Sequence, residues 1–109
     1  MSRITTHVLD IAAGRPAPNI SVHLAQYVTA SADWKQLGLA TTDADGRVRN
    51  LLPDGQLLEP GLYRLQFDTS GVSEFFPQIS IQFRVANADQ HYHVPLLLSP
   101  YGYSTYRGS

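Results

Sequence analysis

In the segment Gln78-Ile79-Ser80-Ile81-Gln82-Phe83-Arg84-Val85, every second residue is apolar and the residues between are polar. Only an extended backbone, whose side chains alternate between opposite faces, gathers such a set on one side; on a helix the same residues would scatter around the axis. The segment therefore reads as a strand with one face in a core and the other in water or at an interface. Residues 19–24 and 62–68 follow the same rule, and residues 5–11, 34–41, 46–50, 91–98 and 104–107 complete about eight candidate strands. Turn signals separate them: Ala13-Gly14-Arg15-Pro16, Asp43-Ala44-Asp45-Gly46, Pro53-Asp54-Gly55, Glu59-Pro60-Gly61, Thr69-Ser70-Gly71 and Ala86-Asn87-Ala88-Asp89. Glycine supplies positive φ and proline pre-sets φ near −65°, so each is a turn with a mechanism. No segment longer than about two turns carries a 3.6-residue period. The expectation is an all-β, two-sheet sandwich of about eight strands with little or no helix.

Pro95 breaks one rule. It stands inside the candidate strand 91–98, where its missing N–H removes a ladder bond, so an edge or bulged position is expected, with local irregularity beside His93. The length of 109 residues, with 43% apolar and 16% charged, suits one domain over 1–109 and argues against disorder. Eight Lys+Arg against nine Asp+Glu give no basic footprint, so neither nucleic acid nor an anionic membrane is an expected partner. The chain has no cysteine, hence no disulfide framework and no thiol nucleophile. Residues 1–7 lack the apolar core of a leader and no run approaches a membrane span, so a cytoplasmic location is expected.

Four polar features carry possible chemistry. His7 shares a strand face with Leu9, opposite Val8, and His93 shares one with His91, opposite Tyr92, Val94, Leu96 and Leu98. If the apolar set faces the core, both imidazoles stand on outer sheet surfaces, where they are either idle or functional. Gly46 in the turn before Arg47 can fix the backbone so that the guanidinium points into a site, with Arg49 and Arg107 competing for the same role. His91-x-His93 has the spacing of a strand-borne metal pair and could form a three-histidine zinc site with His7, which stays open as a rival. His23, mid-strand among apolar residues, reads as structural or exposed. Ser104 and Ser109 sit in no nucleophile elbow and have no acid placed to orient a histidine. Attack by water assisted by a histidine is the simpler chemistry.

Together these fragments resemble the transthyretin-like 5-hydroxyisourate hydrolases. The similarity runs through Thr6-His7-Val8-Leu9-Asp10, Gly14-Arg15-Pro16-Ala17, Thr42-Asp43-Ala44-Asp45-Gly46-Arg47, Phe75-Phe76-Pro77, the stretch from His91 to Pro100, and the terminal Tyr106-Arg107-Gly108-Ser109. The resemblance implies a transthyretin/prealbumin-like sandwich assembled as a homotetramer, a dimer of dimers, with sites where sheet faces of two dimers oppose. It implies hydrolysis of 5-hydroxyisourate, the small-molecule product of urate oxidation, in purine degradation, without metal or cofactor. His7, Arg47, His93 and Ser109 would be the catalytic set, and His7, Arg47, Tyr106, Arg107 and Gly108 would bind substrate. The alternative is a non-catalytic small-molecule carrier on the same fold. One departure is visible: only five residues separate Thr69 from Phe75, too few for the short helix such proteins carry there.

Overall fold

The computed structural model describes residues 3–109; Met1 and Ser2, which entered the leader argument, lie outside the described residues. Among the described residues the chain forms β1 (Ile4–Asp10), β2 (Arg15–Pro16), β3 (Ser21–Val28), β4 (Asp33–Thr41), β5 (Arg47–Val48), β6 (Gly61–Asp68), β7 (Gln78–Val85), β8 (Tyr92–Ser99) and β9 (Gly102–Thr105), with no helix. Among the described residues no helix is long and apolar enough to cross a membrane. One sheet runs β2-β1-β8-β9, with β5 also on β1, and the other runs β4-β3-β6-β7.

Alternation decides which side chains meet between the sheets. Ile4, Thr6 and Val8 of β1 are fully buried; Ile4 and Val8, beside Leu96 and Leu98 of β8, join Val22 and Leu24 of β3 and Leu65 and Phe67 of β6 on the opposite sheet in one apolar cluster. Each such aliphatic or aromatic side chain contributes about 1.5–3 kcal/mol on leaving water. Tyr63 belongs to the same layer, and its hydroxyl donates to the Glu59 carbonyl at 2.7 Å, so its polar end is satisfied. The residues between, Thr5, His7 and Leu9 on β1 and His93, Pro95 and Leu97 on β8, face outward.

β1 and β8 pair in parallel, Thr5 beside His93 and His7 beside Pro95, although they come from opposite ends of the chain. The other edge of β1 is shared by two short strands: Arg15–Pro16 pair with Asp10 and Leu9, and Arg47–Val48 with His7 and Thr6. Two sequence readings are corrected there. Arg15-Pro16, read as part of a turn, is a short edge strand. The 46–50 strand shrinks to two residues because the Asn50 side chain takes over, its Oδ1 accepting from Ile4 N at 3.4 Å and Leu52 N at 3.1 Å.

Pro95 is also placed differently from expectation, since β8 lies inside its sheet and not at an edge. Tyr92 N–H donates to the Arg3 carbonyl and the Leu98 carbonyl accepts from Ile11 N–H, so the even-numbered residues of β8 bond β1. Odd-numbered residues bond the other side. The register Leu96 to Thr105 continues unchanged to a bridge between His93 and Gly108, which sets Pro95 opposite Tyr106. The absent N–H therefore costs a bond only to the tail, and β9 ends at Thr105, short of the expected 107. The Thr105 hydroxyl donates to the Pro95 carbonyl at 2.7 Å across the gap. Between Thr69 and Phe76 one tight turn closes, with Ser73 N–H donating to the Thr69 carbonyl at 2.8 Å, as the short connection requires.

Leu65 is fully buried on β6, a strand paired on both sides. Leu65→Ala is expected to lower unfolding stability by about 2–5 kcal/mol in a urea titration, and Leu65→Met by under about 1.5 kcal/mol.

Candidate active site

The outer face of the first sheet gathers polar groups from four separate stretches. His7 pairs directly with Arg47 across β1 and β5, while Thr6 pairs with the buried Val48, so alternation turns the imidazole and the guanidinium outward together. The turn before Arg47 holds this arrangement. Asp43 Oδ1 accepts from the N–H groups of Asp45 at 2.9 Å and Arg47 at 3.0 Å. Gly46 there has φ +74°, and a Cβ at that position would lie 2.5 Å from the Val8 carbonyl oxygen. Accepting the Arg47 N–H holds the Asp43 carboxyl below its ordinary value of 3.8, with smaller help from Asp45, Arg49 and the Arg47 charge.

His93 lies on the other side of β1, beside Thr5. Thr5 Oγ1 lies 2.7 Å from His93 Nδ1 and 2.8 Å from His91 Nε2, so one buried hydroxyl joins both rings. Arg3, Thr5, Arg47, Arg49, His91, His93 and Ser109 line one open cavity of about 190 Å³. No Asp or Glu side chain lines it, and its electrostatics follow. Burial lowers the His93 pKa from 6.5, and the charges of Arg47, His91 and His7 lower it further. Burial, then Arg3, lowers His91 in the same direction. Both rings are accordingly neutral at neutral pH and able to accept a proton. A histidine that resists protonation when folded contributes fully to stability above its unfolded pKa of about 6.5, and that contribution is lost as pH falls from there through the lower folded pKa.

The tail splits in two. Gly108 N–H donates to the His93 carbonyl at 2.8 Å, and a Cβ on Gly108 would stand 2.4 Å from His93 Cδ2, so only glycine lets the chain close over that ring. Ser109 lines the His93 cavity. Tyr106 and Arg107 line a different one, between β7 and β8, with Phe83 and Tyr92. The Arg107 guanidinium lies 4.4 Å over the Tyr92 ring and donates to Gln90 Oε1 at 3.0 Å and to the His91 carbonyl at 3.4 Å. Within one chain, then, His7, Arg47, His93, Gly108 and Ser109 share a neighbourhood, and Tyr106 and Arg107 do not share their cavity.

Three members of the site escaped the sequence reading: Thr5, Arg3 and, as more than a competitor to Arg47, Arg49. Thr5 was findable, because it lies two residues before His7 on the face that alternation assigns. The zinc reading lacks its ligand set: among the described residues no group of three or more His, Cys, Asp or Glu is arranged to hold a metal, and the Thr5 hydroxyl stands between His91 and His93. His23 is on the second sheet, within 3.4 Å of Gln36 Nε2, and takes no part.

A family model described as the HIUase/Transthyretin family matches residues 4–108. The chain belongs to this family. A 5-hydroxyisourate hydrolase of Caulobacter vibrioides is 48% identical over 119 aligned positions that cover the whole of both proteins. The solved structure of the Klebsiella pneumoniae 5-hydroxyisourate hydrolase superposes with a TM-score of 0.81 at 33% identity, over 99% of this chain and all of that one. Sea bream transthyretin, solved in complex with thyroxine, gives 0.85 at 29% identity over 97% and 94%. A 5-hydroxyisourate hydrolase and a thyroxine-bound transthyretin thus share this backbone, so the fold alone does not assign an activity.

In this family member the Arg47 charge is one of the groups that keeps His93 neutral. Arg47→Gln is expected to move the His93 titration upward, towards 6.5, in an NMR titration of its ring protons. An unchanged midpoint would remove Arg47 from the electrostatics of that imidazole.

Proposed function

We propose that the protein hydrolyses 5-hydroxyisourate in urate degradation, using His7, Arg47 and His93 around the cavity on the outer face of the β2-β1-β8-β9 sheet. The observation that carries the reading is the meeting of His93, its pKa lowered by burial and by the Arg47 charge, with the Arg47 guanidinium at one acid-free cavity, in a chain whose relatives include named 5-hydroxyisourate hydrolases. In the proposed step His93 takes a proton from water as the oxygen adds to the acyl carbon of the ring. Charge then develops on the carbonyl oxygen, where Arg47 stabilises it; losing one such donor costs about 3–4 kcal/mol. The ring C–N bond breaks and the imidazolium returns its proton to the departing nitrogen, which leaves the ureidoimidazoline product. His7 does not line the cavity itself; its register with Arg47 sets it beside the guanidinium side, where it would meet substrate. Ser109 and Gly108 close the cavity from the tail.

The open cavity and the outward position of its groups support an assembly in which a second subunit covers this face, the proposed dimer of dimers. Tyr106 and Arg107 would then meet substrate only through that assembly. No metal or cofactor enters the proposed step. A cytoplasmic site of reaction accompanies this reading, and the cysteine-free composition is compatible with a reducing compartment.

The test generates 5-hydroxyisourate in the cuvette with urate oxidase and follows its ultraviolet decay. The protein is expected to accelerate the decay, and a rate equal to spontaneous hydrolysis would defeat the proposal. His93→Ala is expected to lose about 10²–10⁴-fold in kcat and Arg47→Ala about 10²–10³-fold, with the oligomer intact by light scattering. A small-molecule carrier would show binding without acceleration.

A further inference from the structure

We infer that Thr5 is a positioning residue whose hydroxyl, linked to His91, holds the proton of neutral His93 on Nδ1 and leaves Nε2 bare towards the cavity. The consequence for rate rests on the hydrolase reading above, whereas the position of the proton does not.

A hydroxyl carries one hydrogen and two lone pairs, and Thr5 Oγ1 is within hydrogen-bond distance of a nitrogen on each of two rings. It can donate to only one of them and must accept from the other. In one arrangement His93 Nδ1–H donates to Oγ1, and the hydroxyl donates to His91 Nε2. In the reverse arrangement His91 Nε2–H donates to Oγ1, the hydroxyl donates to His93 Nδ1, and neutral His93 carries its proton on Nε2. Only the first leaves His93 a lone pair with which to take a proton from water.

Three observations select the first arrangement. The cavity beside His93 is lined by Arg3, Arg47 and Arg49, and a guanidinium can only donate, so a lone pair is favoured there over another N–H. His91 is exposed, so a proton on its Nδ1 can be met by water. When His93 becomes an imidazolium both nitrogens carry hydrogen, and Nδ1–H must then donate to Oγ1. The first arrangement is already set for that state, so proton arrival at Nε2 requires no turn of the hydroxyl.

Thr5 is suited to hold this geometry. It is 7% exposed, it faces His93 in register, and a β-branched residue on a strand has few χ1 alternatives. Gly108 closes over the opposite edge of the His93 ring. The charged and titratable groups around His93 are Arg3 just before β1, His7 on β1, Arg47 and Arg49 from β5 and its continuation, and His91 beside it. Thr5→Val leaves all of them in place and removes only the hydroxyl.

Long-range proton–nitrogen NMR correlations of the intact protein at pH 8 report the protonated ring nitrogen directly. The wild type is expected to show His93 protonated on Nδ1, and Thr5→Val to show a mixture of tautomers. In the 5-hydroxyisourate assay Thr5→Val is expected to lose about 2–10-fold in kcat with KM within about threefold, because the fraction of His93 in the wrong tautomer is inactive. Thr5→Ser is expected to restore both the tautomer and most of the rate. A wild type with His93 protonated on Nε2 overturns the inference without any variant, so a Thr5→Val protein that fails to fold does not shield it. An unchanged tautomer and kcat in folded Thr5→Val overturns it as well. If the wild type fails to hydrolyse 5-hydroxyisourate, the hydrolase proposal fails and the tautomer populations still decide the inference.

Discussion

The parallel pairing of β1 with β8 is the constraint on which the rest of this structure depends. It joins the first strand to the penultimate one over seven registered pairs, from Ile4–Tyr92 to Asp10–Leu98. Its inner face places Ile4, Val8, Leu96 and Leu98 at the centre of the core, so the apolar burial that stabilises the sandwich also fixes the register. A slip of β1 by one residue would turn Ile4 and Val8 outward and put Thr5 and His7 into the core, away from His93. The energy that holds the candidate site together is therefore the hydrophobic energy of the opposite face.

On the outer face the same pairing sets Thr5 against His93, and β5 adds Arg47 against His7. Each polar group is presented by a strand whose other side is anchored, which is how a small sheet protein keeps several side chains in fixed relation without a disulfide or a metal. Charge does the remaining selection. Burial first, and then the arginines gathered around an acid-free cavity, lower the His93 and His91 pKa values, and the same arginines offer donors to any oxygen that develops negative charge. The tail contributes by closeness, since Gly108 has no side chain to hold it off the His93 ring.

Much of this was legible in the sequence, for definite physical reasons. Period-two patterning gave the strands and, through Val8, Tyr92 and Val94, the outward direction of His7 and His93, because one buried face leaves the other no choice. The Asp43–Gly46 turn announced Arg47. What could not be read was which strands become neighbours: nothing local says that β1 lies parallel to β8, a pairing whose partners are almost the whole chain apart. Thr5 escaped for that reason, since a threonine in a strand looks ordinary until two histidines are placed beside it. Pro95 was misplaced because a proline costs a bond on one side of a strand only, and the side depends on that same pairing. The separation of Arg107 from Ser109 was equally hidden, because alternation alone puts residues two apart on one face, whereas Arg107 lies over the Tyr92 ring and Ser109 follows Gly108 past the His93 ring.

A crystal structure of the protein with a non-hydrolysable cyclic analogue of 5-hydroxyisourate tests the central claim most directly. The account predicts the analogue on the outer face of the β2-β1-β8-β9 sheet, a carbonyl oxygen within hydrogen-bond distance of the Arg47 guanidinium and the ring beside His93. An analogue bound instead in the Tyr92–Arg107 cavity between β7 and β8, with Arg47 and His93 untouched, would contradict it.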